Sequence, residues 1–122
     1  MSILEVGKSH VAKGIDPVAD AFSGTVRSDV YNVENFHHVE FLIYKGVGTT
    51  GTSTITVNRC DDVVPTTRTT IPFKSQNITS GDTHAALTNR AAAGYDSPAG
   101  SSQLIRIYVD VADIAPDGFV EL

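Results

Sequence analysis

Residues 36–62 read FHHVEFLIYKGVGTTGTSTITVNRCDD, and this stretch decides the fold. Apolar and polar side chains alternate on both sides of a segment rich in glycine and threonine, which is the two-residue period of a half-buried β-strand. In the first run, Val39, Phe41 and Ile43 share one face, and in the second run Ile55 and Val57 alternate with threonine and asparagine. We predict a β-hairpin whose apolar face must be covered by a second sheet.

The other face of this predicted hairpin is mixed in character. It carries His38, Glu40, Leu42 and Tyr44 in the first run and hydroxyl-rich residues in the second. No catalytic grouping of acids, bases or nucleophiles stands beside it in the sequence. We therefore predict that this face makes contacts rather than performs chemistry.

Later segments add further strands. Gln103–Val111 has the clearest alternation of apolar and polar residues, and Thr25–Val33 and Phe119–Leu122 are also predicted to be extended. Thr69–Lys74 is predicted to be a strand, but Pro72 has no backbone N–H to donate. That strand should therefore lie at a sheet edge or be interrupted at the proline.

Between these strands the sequence favours less regular structure. The alanines of Asp82–Gly94 favour a helix, but the segment lies among strands, so we predict a short helix or a loop. Tyr95–Ser102 is predicted to be a surface loop because it contains proline and glycine. Asp113–Gly118 is predicted to be a turn.

Residues 1–24 are predicted to be an N-terminal arm, because glycines and a proline interrupt every apolar piece. A short helical turn over Pro17–Phe22 would place the proline at the first helical position and Asp16 as the cap. Such an arm packs on its own domain or reaches a neighbouring molecule. Residues 25–122 are predicted to form a single all-β domain, an antiparallel β-sandwich or jelly-roll-like barrel.

Charge and composition restrict the function. The formal net charge is −5, and the nine Lys and Arg residues are spread from Lys8 to Arg106, so no basic stripe marks a nucleic-acid interface. The N-terminus lacks the apolar core of a signal peptide, and no segment is long and apolar enough to cross a membrane. We expect synthesis in a cytoplasm, with no nucleic-acid or membrane partner.

Two local patterns resemble ligand-binding loops only in part. Gly7-Lys8-Ser9 resembles the end of a phosphate-binding loop, but the required earlier glycine is replaced by Ser2. Asp113, Asp117 and Gly118 resemble part of a calcium loop, but Ala115 occupies the middle ligand position. Both patterns are more typical of ordinary turns and arms.

The histidines and the single cysteine are the other candidates. His37 and His38 are adjacent, so they point to opposite faces of a strand and do not share a metal, whereas His84 with Asp82 would need further ligands. Cys60 beside Asp61 and Asp62 would be a nucleophile only with a histidine nearby, and a packed thiol is the commoner case. Asp61 and Asp62 are interpreted as keeping a loop solvated or meeting an arginine on a partner. We predict no enzyme activity, no catalytic residue, no metal and no cofactor.

A hydroxyl-rich surface is the remaining distinctive feature. Its threonines are Thr50, Thr52, Thr54, Thr56, Thr66, Thr67, Thr69 and Thr70. These residues form either an ordinary solvated sheet surface or a contact surface for a protein or a sugar. A sugar site would need exposed aromatic rings, for which Tyr44, Tyr95 and Tyr108 are the candidates because Trp is absent.

The run Phe36–Asp62, together with AGSSQLIRIYVD at Ala99–Asp110, resembles small capsid-associated proteins of tailed bacteriophages. Those proteins pair a long strand and a Gly/Thr loop with a later AGS-x-Q-hydrophobic strand that ends in an aspartate. The segment Asp110–Gly118 resembles the turn that follows. The resemblance covers residues 36–118 and rests on fold-packing patterns.

The resemblance implies a non-enzymatic virion protein, made in the bacterial host cytoplasm, that stabilises the assembled capsid as a decoration, cement or minor capsid protein. It implies the major capsid protein as partner and self-association, with a trimer favoured. A carbohydrate- or receptor-binding β module of a phage tail or fibre is the alternative. A small hydrolase or metal enzyme using Cys60 or the His/Asp positions ranks last.

Overall fold

The computed structural model of the chain describes residues 10–17, 19, 24–46, 51–115 and 117–122. Within these ranges the secondary structure consists of short and medium β-strands and one 3-10 helix, Val111–Asp113. In chain order the strands are β1 (Tyr31–Asn32), β2 (His38–Lys45), β3 (Thr54–Ile55), β4 (Val57–Cys60), β5 (Arg68–Ile71), β6 (Phe73–Ser80), β7 (Thr83–His84), β8 (Thr88–Arg90), β9 (Tyr95–Asp96), β10 (Gln103–Asp110) and β11 (Phe119–Glu121). The predicted all-β, sandwich-like fold is confirmed.

The strands form two main sheets and a small ribbon. The first sheet has the order β1-β11-β4-β5, and the second has the order β2-β10-β6-β7 with β8 also paired to β6. The ribbon pairs β3 with β9. Each of the described pairings is antiparallel.

β10 is the central strand of the second sheet. It pairs with β2 through an unbroken register from Gln103–Lys45 to Asp110–His38, and with β6 from Leu104–Ile78 to Tyr108–Lys74. The predicted alternation is confirmed, because Ile105, Ile107 and Val109 are buried while the residues between them lie on the outer face. A strand paired on both edges can bury only one of its two faces in this way.

The core lies where the two sheets meet. β4, β5 and β11 contribute side chains from the first sheet, and β6 and β10 contribute from the second. The buried cluster consists of Val33, Ile55, Val57, Ile71, Phe73, Ile105, Ile107, Val109, Ile114 and Val120. Val39, Phe41 and Ile43 of β2 pack against it while remaining only half-buried.

The predicted hairpin within Phe36–Asp62 is wrong. β2 pairs with β10 in the second sheet, whereas the run after residue 51 divides into β3, in the ribbon, and β4, in the first sheet. Alternation fixes the face of each side chain but not the neighbouring strand. The predicted faces of β2 are nevertheless those of the structure.

The predicted interruption at Pro72 is confirmed. β5 ends at Ile71 in the first sheet, and β6 begins at Phe73 in the second. A residue without an N–H cannot continue a ladder, so the chain passes from one sheet to the other at this position.

Two other segments differ from their predictions. Asp82–Gly94 contains β7 and β8, both paired to β6, and no helix is described there. An eight-residue strand with an unpaired edge outweighs the helical preference of alanine. In Thr25–Val33, only β1 is a strand.

The first two residues of the predicted Tyr95–Ser102 loop form strand β9 of the ribbon instead. Thr54 pairs with Asp96, and Ile55 pairs with Tyr95. Gly94 lies against this ribbon with φ of 109°, and a Cβ there would stand 2.7 Å from the Ile55 carbonyl oxygen. Only glycine permits so close an approach in that conformation.

Residues that precede β1 form long-range hydrogen bonds at two places. The Tyr31 hydroxyl donates to the Lys13 carbonyl at 2.6 Å. Ser28 and Leu122 exchange two hydrogen bonds, through the Ser28 amide at 3.1 Å and the Ser28 hydroxyl at 2.9 Å. The helical turn predicted over residues 17–22 lies mostly outside the described residues. In the part of the chain that the structure describes, no helix has the length and hydropathy to span a bilayer.

Because Ile107 is fully buried at the centre of β10, truncation should leave a cavity that its neighbours cannot fill. We expect Ile107→Ala to lower the free energy of unfolding by about 2–5 kcal/mol in chemical denaturation. Ile107→Asp should prevent folding, because it buries an unpaired charge. Val11→Ala is the matched control, since this side chain is 90% exposed; equal losses in the two alanine variants would contradict the assigned core.

Candidate functional site

The outer face of the second sheet carries a cluster of four apolar side chains, two largely exposed and two half-buried. Across the sheet, Leu104 of β10 lies between Tyr44 of β2 and Ile78 of β6. Leu42 follows on the same face of β2, and Leu42 and Tyr44 are each 68% exposed. We call these four residues, Leu42, Tyr44, Ile78 and Leu104, the outer-face patch.

The polar residues beside this patch are already paired with one another. Arg106 forms an ion pair with Glu40 and donates to the Gln76 amide oxygen at 3.4 Å. The hydrogen bond to Glu40 is the main cause that raises the pKa of Arg106 above its ordinary value. This part of the face therefore presents a neutral, internally satisfied surface.

Tyr108 continues the paired polar region. Its hydroxyl donates to Asp110 at 3.0 Å, which is the main cause that raises the pKa of the phenol. The His38 ring stacks on the Tyr108 ring with centroids 5.1 Å apart, and the Lys74 ammonium lies 5.8 Å from its centroid. Tyr108 is thus engaged on its ring and on its hydroxyl.

Two shallow depressions adjoin this face. One, of about 240 Å³, is lined by Ile78 and Leu104 together with amide and hydroxyl side chains, and none of its lining residues carries a carboxylate, an imidazole or a thiol. The other, of about 130 Å³, is lined by Lys74, Arg90, Asp110 and Asp113 among others. Both are smaller than the clefts of roughly 300–1,000 Å³ that hold small molecules.

The loop between β4 and β5 presents a second apolar surface. Val63 and Val64 at its tip are 60% and 78% exposed. At its base, the Asp61 carboxylate accepts hydrogen bonds from the amides of Thr66, at 3.0 Å, and Thr67, at 3.1 Å, and from the Thr66 hydroxyl. Asp61 therefore holds the loop closed from within, so its predicted role in keeping the loop solvated is incomplete.

Cys60 is buried, and its chemistry is that of a protonated thiol. Burial raises its pKa to about 11, with a further contribution from the negative charge of Glu121. A thiol in this state is a poor nucleophile at neutral pH. The nucleophile hypothesis for Cys60 therefore has no support from its surroundings.

The described histidines lie in separate surroundings. His38 stacks on Tyr108, and His84 of β7 pairs in register with Ile78 of β6. Among the described residues, no group of three or more His, Cys, Asp or Glu side chains is placed to hold a metal ion.

The segment that resembled a calcium loop has a structural role. Gly118 adopts φ of 78°, and Asp117 lies 3.6 Å from the Arg59 guanidinium. Asp113 belongs to the 3-10 helix. Gly7-Lys8-Ser9, which resembled a phosphate loop, lies outside the described residues.

The threonines do not form one hydroxyl-rich face. Thr54 lies in the ribbon and donates to Asp96 at 2.6 Å, while Thr66 belongs to the β4–β5 loop. Thr69 and Thr70 are consecutive in β5, so they point to opposite sides of the first sheet. Thr50 lies outside the described residues.

Two of the three candidate tyrosines are occupied within the chain. The Arg90 guanidinium lies 4.0 Å from the centroid of Tyr95, whose hydroxyl is hydrogen-bonded to Asn77. Tyr108 carries the stacked His38. Of these three residues, Tyr44 has the freely exposed ring.

Sequence reasoning missed the buried carboxylate of Glu121, which is 1% exposed. The Arg68 Nε donates to it at 2.6 Å, the Asn58 amide lies at 3.4 Å and the Arg27 Nε at 3.8 Å. A buried charge needs such partners. The network links β4, β5 and β11 to the segment before β1, and we assign it a structural role.

No protein-family model matches the chain. The search of the curated proteins found no match, and the search of the solved structures found none. Assignment of a function therefore depends on the surface chemistry of the chain and on the residue patterns of residues 36–118.

The state of Cys60 can be tested by thiol labelling. We expect the folded protein to resist a thiol-specific reagent near neutral pH, because the thiol is buried and protonated, and to react fully once denatured. The rate of labelling, followed by absorbance or mass, measures this difference. Rapid reaction of the folded protein would indicate an accessible, ionised thiol and would support Cys60 as a nucleophile.

Asp61 predicts a pH response of the β4–β5 loop. Hydrogen bonds from the Thr66 side chain and the Thr67 backbone lower its pKa below the ordinary value of 3.8. Because the pKa of Asp61 is lower in the folded state than in the unfolded state, its ionised carboxylate stabilises the loop at pH values above the unfolded-state pKa. This stabilisation is lost as the pH falls through the folded-state pKa. We expect the amide resonances of Thr66 and Thr67 to titrate with a midpoint below 3.8; Asp61→Asn, which cannot titrate, should abolish that transition.

Proposed function

We propose that this protein is a non-enzymatic structural component of a tailed-phage virion that binds the assembled capsid as a decoration, cement or minor capsid protein. The resemblance of residues 36–118 supplies the class. The observation that supports binding is the outer-face patch, where largely exposed Leu42 and Tyr44 lie beside half-buried Leu104 and Ile78 on one face of the sheet. Exposed apolar clusters of this kind are typical of protein-binding surfaces.

The partner that fits this surface is a folded protein shell. The patch offers no deep cleft for a small molecule, and the neighbouring charges of Glu40 and Arg106 are neutralised within the chain. Binding would therefore depend on burial of apolar area, with little contribution from long-range charge attraction. The major capsid protein is the proposed partner, and the virion the proposed location.

Binding to the shell would stabilise the particle by mass action. A protein that binds the assembled shell and not its separated subunits shifts the equilibrium towards the assembled form. Because a symmetric shell repeats the same site many times, individually weak contacts add up over the particle. The exposed Val63 and Val64 at the tip of the β4–β5 loop offer a second contact for the same purpose.

The test is co-sedimentation of the purified protein with shells that lack it. We expect many copies on each shell and a clear loss of binding in Leu104→Arg, which places a charge at the centre of the outer-face patch. Val26→Arg is the matched control, because Val26 is exposed and adjoins Arg27, which contacts Glu121 of the first sheet. Thermal melting verifies that both variants remain folded.

Two results would contradict the proposal. One is absence of the protein from purified virions analysed by mass spectrometry. The other is equal binding of Leu104→Arg and Val26→Arg to shells, which would place the contact elsewhere on the chain.

Carbohydrate or receptor binding is the second candidate, and exposed Tyr44 is the observation that favours it. A single exposed ring beside apolar neighbours suits a sugar less well than a protein, because sugar sites combine aromatic rings with free polar groups. A glycan array would separate the candidates. Saturable binding lost in Tyr44→Ala would favour the sugar, and its absence would favour the shell.

A further inference from the structure

The open edge of the second sheet differs from the other sheet edges that the structure describes. β2 is an eight-residue strand at the end of its sheet. The other outer strands are much shorter: β1 and β7 have two residues each, β8 has three and β5 has four. A long edge strand presents a row of unpaired backbone N–H and C=O groups, to which another strand can bind.

β2 also lacks the features that usually protect an edge. It contains no proline, and its register with β10 is unbroken, whereas the β6–β7 pairing shifts between Ile78 and Ser80. Its two charged side chains are drawn back onto the chain. Glu40 is bound by Arg106, and the Lys45 ammonium donates to the carbonyls of Gly51 at 2.7 Å and Pro98 at 2.6 Å.

Both faces of β2 retain apolar surface that the described residues leave uncovered. Val39, Phe41 and Ile43 face the core but are only half-buried. On the outer face, Leu42 and Tyr44 are largely exposed. An additional strand beside β2 would satisfy the backbone edge and cover side chains on both faces.

We propose that a second copy of this chain occupies that position, with the two β2 strands antiparallel and Phe41 on the two-fold axis. This register places Phe41 opposite Phe41 and Val39 opposite Ile43 of the second copy, so apolar residues meet at the centre of the inner face, while Lys45 lies at its end opposite His37. On the outer face it places His38 opposite Tyr44 and Glu40 opposite Leu42 of the second copy. The second sheets of the two copies become one continuous sheet.

Charge explains why the contact forms along β2. The whole chain has a formal net charge of −5, so two copies repel each other over most of their surfaces. β2 carries one Glu and one Lys and no net charge with neutral histidine. Shifting the axis to Leu42 would set Val39 against Lys45 of the second copy, which is why the Phe41 register is the better one.

Pairing through β2 closes with two copies, since both contribute the same strand. The trimer implied by the resemblance would instead need contact between two different surfaces. Self-pairing does not require a shell, and it leaves Leu104 and Ile78 free on the outer face. The dimer and the shell contact can therefore exist at the same time.

Sedimentation of the unmodified chain gives the first test. We expect a species of twice the 13.0 kDa chain mass at high concentration, dissociating on dilution. A trimer, or a monomer at every concentration, would overturn the proposal. If that monomer gained exchange protection in β2 only on shells, the occupant would be a strand of the shell protein.

Disulfide trapping tests the register. In His38→Cys/Tyr44→Cys, the two positions lie about 20 Å apart along one strand but face each other across the proposed axis, within disulfide reach. We expect a covalent dimer on a non-reducing gel that disappears on reduction. Native Cys60 does not compete because it is buried.

Tyr44→Cys alone is the matched control and should stay monomeric on the same gel, because its counterpart lies about 20 Å away in this register. Equal cross-linking of the single and double variants, or none in the double variant, would overturn the Phe41 register. We expect Leu104→Arg to sediment as a dimer but not to bind shells. Failure of self-pairing can therefore be distinguished from failure of shell binding.

Discussion

The pairing of β10 on both of its edges is the constraint on which the rest of the structure depends. With β2 on one side and β6 on the other, its side chains can point only into the core or outward. Ile105, Ile107 and Val109 fill the core, and residues paired in register share their face, so β10 also fixes the faces of its neighbours. A slip of one residue would bury Arg106 and expose Ile107. The register and the core therefore specify each other, and the outer-face patch is a direct consequence of both.

Features that depend on neighbours in sequence were predictable, and features that depend on distant strands were not. Alternation is enough to predict an all-β fold and the faces of β2 and β10, and the missing N–H of Pro72 is enough to predict a break. The partner of β2 is not encoded locally, which is why the predicted hairpin with the run after residue 51 was wrong. The alanines of Asp82–Gly94 follow the same rule, because β6 offers an edge that those residues complete as strands.

Some features of the candidate site could likewise be predicted from local sequence, and others depended on distant strands. Leu42 and Tyr44 could be placed on an outward face from sequence alone, but their meeting with Leu104 and Ile78 required the register across three strands. Glu121 shows the opposite case. An acid in a short terminal strand suggests exposure, yet Arg68 and other groups distant in sequence surround and neutralise it. No local pattern contains that information, because the carboxylate and its guanidinium partners come from opposite parts of the chain.

The distribution of paired and unpaired groups indicates which forces the proposed contacts would use. On the outer face, Glu40 and Arg106 neutralise each other, and Tyr108 is hydrogen-bonded and stacked. Among the described residues, the groups left over are the apolar area of the patch and the edge of β2 that faces away from β10. Such groups contribute through burial and short-range hydrogen bonds, which ionic strength weakens little. A strand added beside β2 would cover part of Leu42 and Tyr44, while Leu104 and Ile78 would stay open for a contact with the shell. The two proposed contacts, with a protein shell and with a second copy, would therefore both form without concentrating charge at either surface.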